Sequence, residues 1–149
     1  MYRLVLAFLL AAPAFADSPA GYYASGWPIA LAEAACYGDE GCLTRLANCG
    51  PGADCADTAA LCRHDYGQAS APAFRPCTLH RHGGGTITVQ IPRQPGATLS
   101  TWPAMMDGAK ARREGNLKHG SACWRTEDRR SLCLTVLRSE KDLAPWAPK

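Results

Sequence analysis

The sequence predicts an α+β fold: a disulfide-stapled N-terminal helical hairpin followed by a small antiparallel β-sheet or meander. Three observations point there. Cys36, Cys42, Cys49, Cys55 and Cys62 recur at intervals of six or seven residues through a region rich in alanine. From Thr86 to Ile91, threonine and glutamine alternate with Ile87, Val89 and Ile91, the period of a strand with one buried face. Turn-forming glycines at Gly83, Gly84, Gly85 and Gly108 then punctuate the second half.

The N-terminus reads as an export signal. Met1 to Arg3 is a short positive segment, Leu4 to Ala12 is apolar, and Ala14-Phe15-Ala16 is a small-x-small cleavage site. Cleavage after Ala16 would release a periplasmic or secreted chain. The apolar stretch falls short of the roughly 20 residues a transmembrane helix needs, and no later segment approaches that length. The expected organisation is residues 1–16 as signal peptide, 17–72 as a cysteine-rich helical region, 73–140 as an antiparallel β region and 141–149 as a tail. Ser70 to Pro76 supplies the linker, with two prolines and no periodicity.

Three short helices are expected in the cysteine-rich region. Pro28 suits a first helical position, Ile29 to Tyr37 follows, and Gly38 stops the helix. Asp39 caps a second helix reaching Gly50. After the turn Gly50-Pro51-Gly52, Asp54 caps a third helix, with Arg63 and His64 in its last turn and Gly67 beyond it.

Those helices would set the disulfides. Cys42 and Cys49 are seven residues apart, as are Cys55 and Cys62, so each pair lies on one helical face. Folding back at Gly50-Pro51-Gly52 puts Cys42 opposite Cys62 and Cys49 opposite Cys55. The arrangement resembles the twin-cysteine helical hairpins stapled by two bridges. Cys123 and Cys133 flank the polar turn Glu127 to Arg130 between two alternating segments and pair across it, which leaves Cys36 for Cys77 by elimination. With eight cysteines in an oxidising compartment, no free thiol is expected.

Charge is unevenly divided. Residues 17–72 carry seven acidic and two basic residues, and residues 73–149 six acidic and thirteen basic, so the halves differ in sign. Arg112, Arg113, Arg125, Arg129 and Arg130, with Lys110 and Lys118, are candidates for a basic contact surface. An anionic envelope glycan, a lipid headgroup or an acidic protein surface fits an exported chain. Nucleic acid does not, because no recognition motif accompanies the charge.

Two constellations could carry chemistry. Cys49-Gly50-Pro51-Gly52, Cys55 and Cys62-Arg63-His64-Asp65 resemble the active-site region of secretory phospholipases A2. The resemblance implies His64 as general base and Asp65 as a Ca²⁺ ligand in ester hydrolysis. That family has two residues between cysteine and histidine, and here Arg63 stands alone. His80 and His82, two apart on an expected strand, share a face and suit Zn²⁺ or Cu²⁺. No Gly-x-Ser-x-Gly, His-Glu-x-x-His, phosphate loop or Cys-x-x-Cys occurs. The leading expectation is a small exported binding, inhibitor or envelope-associated module that is not an enzyme and has no cofactor. The calcium-dependent hydrolase and the metal binder are the alternatives.

Overall fold

A computed structural model describes residues 21–70 and 72–149. The export signal lies outside the described residues. The chain forms a closed antiparallel barrel of eight strands, β1 Asp57–Asp65, β2 Arg75–Arg81, β3 Thr86–Gln90, β4 Ala97–Thr101, β5 Ala104–Met106, β6 Ala109–Asn116, β7 Ser121–Thr126 and β8 Ser131–Val136, paired in chain order with β8 returning to β1. Helices α1 Ile29–Cys36 and α2 Glu40–Asn48 precede the barrel, and α3 Glu140–Leu143 follows it.

This corrects the expected architecture. The helical hairpin is absent, and the β portion is a closed barrel in place of a small open sheet. The decisive segment is β1, which the alanine run and the cysteine spacing read as a third helix. Its Ala60 and Cys62 face the barrel interior while Ala59 packs under the helices, and all three are fully buried. Burial on both faces removes the alternation that marks a strand, and small residues on both sides then mimic a helix.

The interior is filled. Cys62, Cys77, Leu79, Val89, Leu99, Met106, Trp124, Leu132 and Leu134 form one cluster, as expected for an eight-stranded barrel whose bore is just wide enough for side chains. Outward positions on β3 to β7 include Thr86, Thr88, Thr98, Arg112, Glu114 and Arg125. This pattern, apolar inside and polar outside, is the reverse of a membrane-spanning barrel. No described helix is long and apolar enough to cross a membrane.

A second apolar cluster lies outside the wall. Trp27, Leu31 and Leu46 of the helical segment meet Ala59 of β1 and Leu137 and Leu143 of the C-terminal segment. Trp27 donates its indole N–H to the carbonyl of Cys49 at 2.7 Å. The C-terminal segment is docked by Leu143 and by a capping box in which Ser139 and Asp142 satisfy each other's backbone N–H groups. The N–H of Arg138, with Ser139, holds the Asp142 carboxyl below its ordinary value.

Four disulfides are present: Cys36–Cys42, Cys49–Cys55, Cys62–Cys77 and Cys123–Cys133. The expected bridges Cys42–Cys62 and Cys36–Cys77 are not formed. Because residues 57–65 are a strand, Cys62 turns into the bore and meets Cys77, the diagonal neighbour on β2, with Cα atoms 5.9 Å apart. Cys36 instead meets Cys42 because Tyr37 (φ 48°) and Gly38 (φ 80°) reverse the chain and Asp39 starts α2 at once, accepting from the N–H of Cys42. Cys123 and Cys133 are directly opposed on β7 and β8, and Cys49 and Cys55 close the loop from α2 to β1.

Candidate anion-binding mouth

Antiparallel order brings the end of β2, the start of β3, the end of β4 and the end of β6 to one end of the barrel. There a concavity of about 430 Å³ is lined by Arg81, His82, Thr86, Thr101, Arg113, Asn116, Leu117 and Lys118, among others. An adjoining recess of about 270 Å³ shares Arg81, Leu117 and Lys118 with it and adds Asp54, Thr58, Val136 and Arg138. The two lie at the same end of the barrel and are together called the mouth.

Each cation is placed by local structure. Arg113 lies opposite Trp124, whose side chain fills the bore, so the two share a face and Arg113 points to the inner side near the rim. Arg81 ends β2 and donates to the carbonyl of Cys55 at 2.7 Å, with Asp54 at 3.6 Å on the exposed side. Lys118 sits in the 3₁₀ turn Leu117–His119, which Asn116 caps by accepting from the Lys118 N–H. Arg138 fastens the same turn by donating to the Lys118 carbonyl at 2.7 Å. Among the described residues, no carboxylate lies within ion-pair distance of Arg113 or Lys118.

The rim is fixed by hydrogen bonds between hairpins. Gly85, at φ +84°, presents its carbonyl to both the N–H and the hydroxyl of Thr101, at 3.1 and 3.2 Å. A side chain at residue 85 would run into Thr101, so the close approach of the two hairpins requires glycine there.

The five arginines expected to form one surface are dispersed. Arg112 and Arg125 are cross-strand neighbours on the outer wall and share Glu114, at 3.8 and 3.7 Å. Arg129 and Arg130 occupy the β7–β8 turn at the opposite end. There Arg130 pairs with Asp128 at 2.8 Å and approaches Asp107 at 4.0 Å. Hydrogen bonds from the Thr126 hydroxyl and from Arg130 hold the Asp128 carboxyl below its ordinary value. Only Arg113 of the five reaches the mouth. The sequence carried a signal for this: adjacent residues on a strand face opposite ways, so Arg112 and Arg113 cannot share a surface.

His64 and Asp65 lie on β1 rather than on a helix. His64 is 3% exposed and donates from Nδ1 to the carbonyl of Pro95 at 2.8 Å. The Asp65 carboxylate accepts from the N–H of Gly67 at 3.2 Å. As strand neighbours the two side chains leave on opposite faces, which separates the base from the acid that the phospholipase resemblance pairs. His80 and His82 do share the outer face, with ring centroids 4.5 Å apart. His80 donates from Nδ1 to Asp57 at 2.8 Å, Arg45 also contacts Asp57 at 3.3 Å, and Nε2 of His82 bonds the Thr88 hydroxyl at 2.7 Å. These groups line a groove of about 310 Å³ outside the barrel. Among the described residues, no three ligating side chains converge on a point. No protein-family model, curated protein or solved structure matches the chain.

Proposed function

We propose that this is an exported, non-enzymatic binding module whose basic barrel mouth recognises an anionic partner. The observation that carries this is the grouping of Arg81, Arg113, Lys118 and Arg138 at one end of the barrel, in the walls of two recesses that share Arg81 and Lys118 and have Asp54 as their one lining carboxylate. Charges gathered around a recess with low-dielectric walls act together, and a guanidinium offers paired donors that match a carboxylate, sulfate or phosphate. The disulfides support an oxidising compartment, in keeping with export.

The test is binding of the oxidised protein to a heparin-like polyanion at low and physiological salt. Binding should weaken as salt shortens the Debye length toward about 8 Å. The double variant Arg113→Gln, Lys118→Gln should lose about tenfold in affinity at low salt, whereas Arg129→Gln, Arg130→Gln, at the far end, should bind like the wild type. Absence of binding at low salt, or equal loss in both double variants, rejects the mouth as the contact surface.

A second reading rests on the Asp57–His80 contact. A carboxylate at Nδ1 keeps the proton there and leaves Nε2 of His80 as a lone-pair donor, the arrangement that orients histidine toward a metal. With His82 beside it, a Cu²⁺ or Zn²⁺ ion would take two imidazoles and complete its shell with water. A stoichiometric rise in Tm with either ion, abolished by His80→Ala, supports this reading. An unchanged Tm removes it.

A further inference from the structure

We infer that the ligand of the mouth is an extended acidic segment of a partner protein, bound by strand addition to the open edge of β6. The inference rests on the anion-binding reading above and names the class of partner. Between β5 and β6 the barrel is closed by two residue pairs, Met105 with Lys110 and Met106 with Ala109, whereas β6 and β7 pair continuously from Ala111 to Asn116. Continuing the first register by one step sets Ala104, where β5 begins, level with Ala111. Arg112 to Asn116 therefore run about 16 Å past the start of β5, with β7 along one side and, among the described residues, no strand along the other.

Strand alternation identifies the groups on that open side. The Thr126 N–H bonds the Arg130 carbonyl, so the backbone of Thr126 faces β8 and that of Arg125 faces β6. Arg112 and Glu114, opposite Arg125 and Cys123, then exchange their backbone hydrogen bonds with β7. The N–H and carbonyl of Arg113 point the other way, beyond the start of β5. The recess of about 430 Å³ lies on that side, since its walls include Arg113 and Asn116 together with Gly85, Thr86 and Thr101 from the hairpins beyond β5. Arg113 is exposed although its side chain leaves on the inner face, as expected where the wall beside it is missing.

An open edge is a template for any extended chain, and the charges beside it select which one. On the inner face Arg113 and Lys118 have no carboxylate within ion-pair distance among the described residues, while on the outer face Glu114 already lies between Arg112 and Arg125. The unbalanced charge is therefore on the inner side. A residue paired with Arg113 through the backbone presents its side chain on the same face, so a glutamate or aspartate there would meet the guanidinium directly. A second copy of this chain is disfavoured, because pairing β6 with β6 about Arg113 would oppose two arginines. A sulfated glycan would meet the charges but leave the N–H and carbonyl of Arg113 to water.

The experiment titrates the oxidised full chain at low salt with a blocked peptide that alternates threonine and glutamate, and with a heparin-like polyanion for comparison. In such a peptide the amides of the glutamates lie along one edge and those of the threonines along the other. N-methylation of the glutamate amides should weaken binding about tenfold or more, and N-methylation of the threonine amides should leave it nearly unchanged. A threonine–lysine peptide should not bind, and Arg113→Gln should weaken the threonine–glutamate peptide about tenfold. Amide hydrogen exchange followed by NMR reads the edge itself. In the free protein the Arg113 N–H should exchange fast while those of Arg112 and Glu114 are protected, and the peptide should slow Arg113 about tenfold or more. Equal loss from both methylations, or loss from the threonine set alone, overturns strand addition and leaves the anion site standing. Polyanion binding with no peptide binding does the same. Protection of Arg113 in the free protein would show that the edge is already covered and overturns the inference. Failure of both the peptide and the polyanion at low salt overturns the underlying reading as well.

Discussion

Trp124→Ala should cost the folded state about 3 to 5 kcal/mol, seen as a lowered urea midpoint in the oxidised protein. Trp124 is fully buried in the bore, among Met106, Leu99 and Leu132, and its indole N–H donates to the carbonyl of Ser100 at 2.9 Å. Truncation therefore removes a large apolar body from a space that strands on all sides hold open, and leaves a carbonyl of β4 without its partner. A small domain has roughly 5 to 15 kcal/mol of stability to lose, so the variant should be near the edge of folding at 37 °C. Trp124→Phe keeps most of the volume and loses the hydrogen bond, and should cost about 1 to 2 kcal/mol. The mouth should respond too, since Arg113 is the cross-strand neighbour of Trp124 and rests on the same face. A loss below about 1 kcal/mol for Trp124→Ala would mean that the bore is not packed around this residue.

What could be read from the sequence followed from how local each signal was. Helix α2 carries its own start in Asp39, whose side chain accepts from Cys42, and the capping signal does not depend on the rest of the chain. The β5–β6 turn at Asp107-Gly108 was equally local, with both residues at positive φ, as a tight hairpin turn requires. The pairing of β7 with β8 could be read because Leu132 and Leu134 alternate against Cys133 around a short turn.

Barrel closure could not be read in this way. It depends on β1 lying between β2 and β8, contacts formed with residues far along the chain, and β1 has small apolar residues on both faces. Strand β6 was obscure for the opposite reason: Lys110, Arg112, Arg113 and Glu114 are all exposed, so neither face shows a buried stripe. The mouth inherits both difficulties. It is assembled from the tips of separate hairpins, and only the closed topology brings Arg81, Thr101, Arg113 and Lys118 together. Counting basic residues found the charge, but placing it required the register that sets Arg113 opposite Trp124 and Arg112 opposite Arg125.

Replacing Cys62 and Cys77 together by alanine should destabilise the protein by about 3 kcal/mol, and by more than removal of any other bridge. Bridging residues separated by 15 positions constrains the unfolded chain more than the separations of 6, 6 and 10 in the other three. The difference in chain entropy between 10 and 15 residues is small, only a few tenths of a kcal/mol. What should set Cys62–Cys77 apart is its position. Both cysteines are fully buried in the barrel core, where two alanines leave unfilled space between Leu79 and the neighbouring strands. Cys123–Cys133 also ties two strands, but it lies on the outer wall, where alanine opens no cavity in the bore. The same burial gives a kinetic expectation. Thiol–disulfide exchange requires a thiolate to reach a sulfur, so brief dithiothreitol treatment of the native protein should leave Cys62–Cys77 oxidised after Cys49–Cys55 and Cys123–Cys133 have opened. Alkylation and peptide mass mapping over time would record the order. Early labelling of Cys62 or Cys77, or a loss of stability no larger than that caused by Cys123→Ala, Cys133→Ala, would show that β1 does not close the barrel as a tightly held strand.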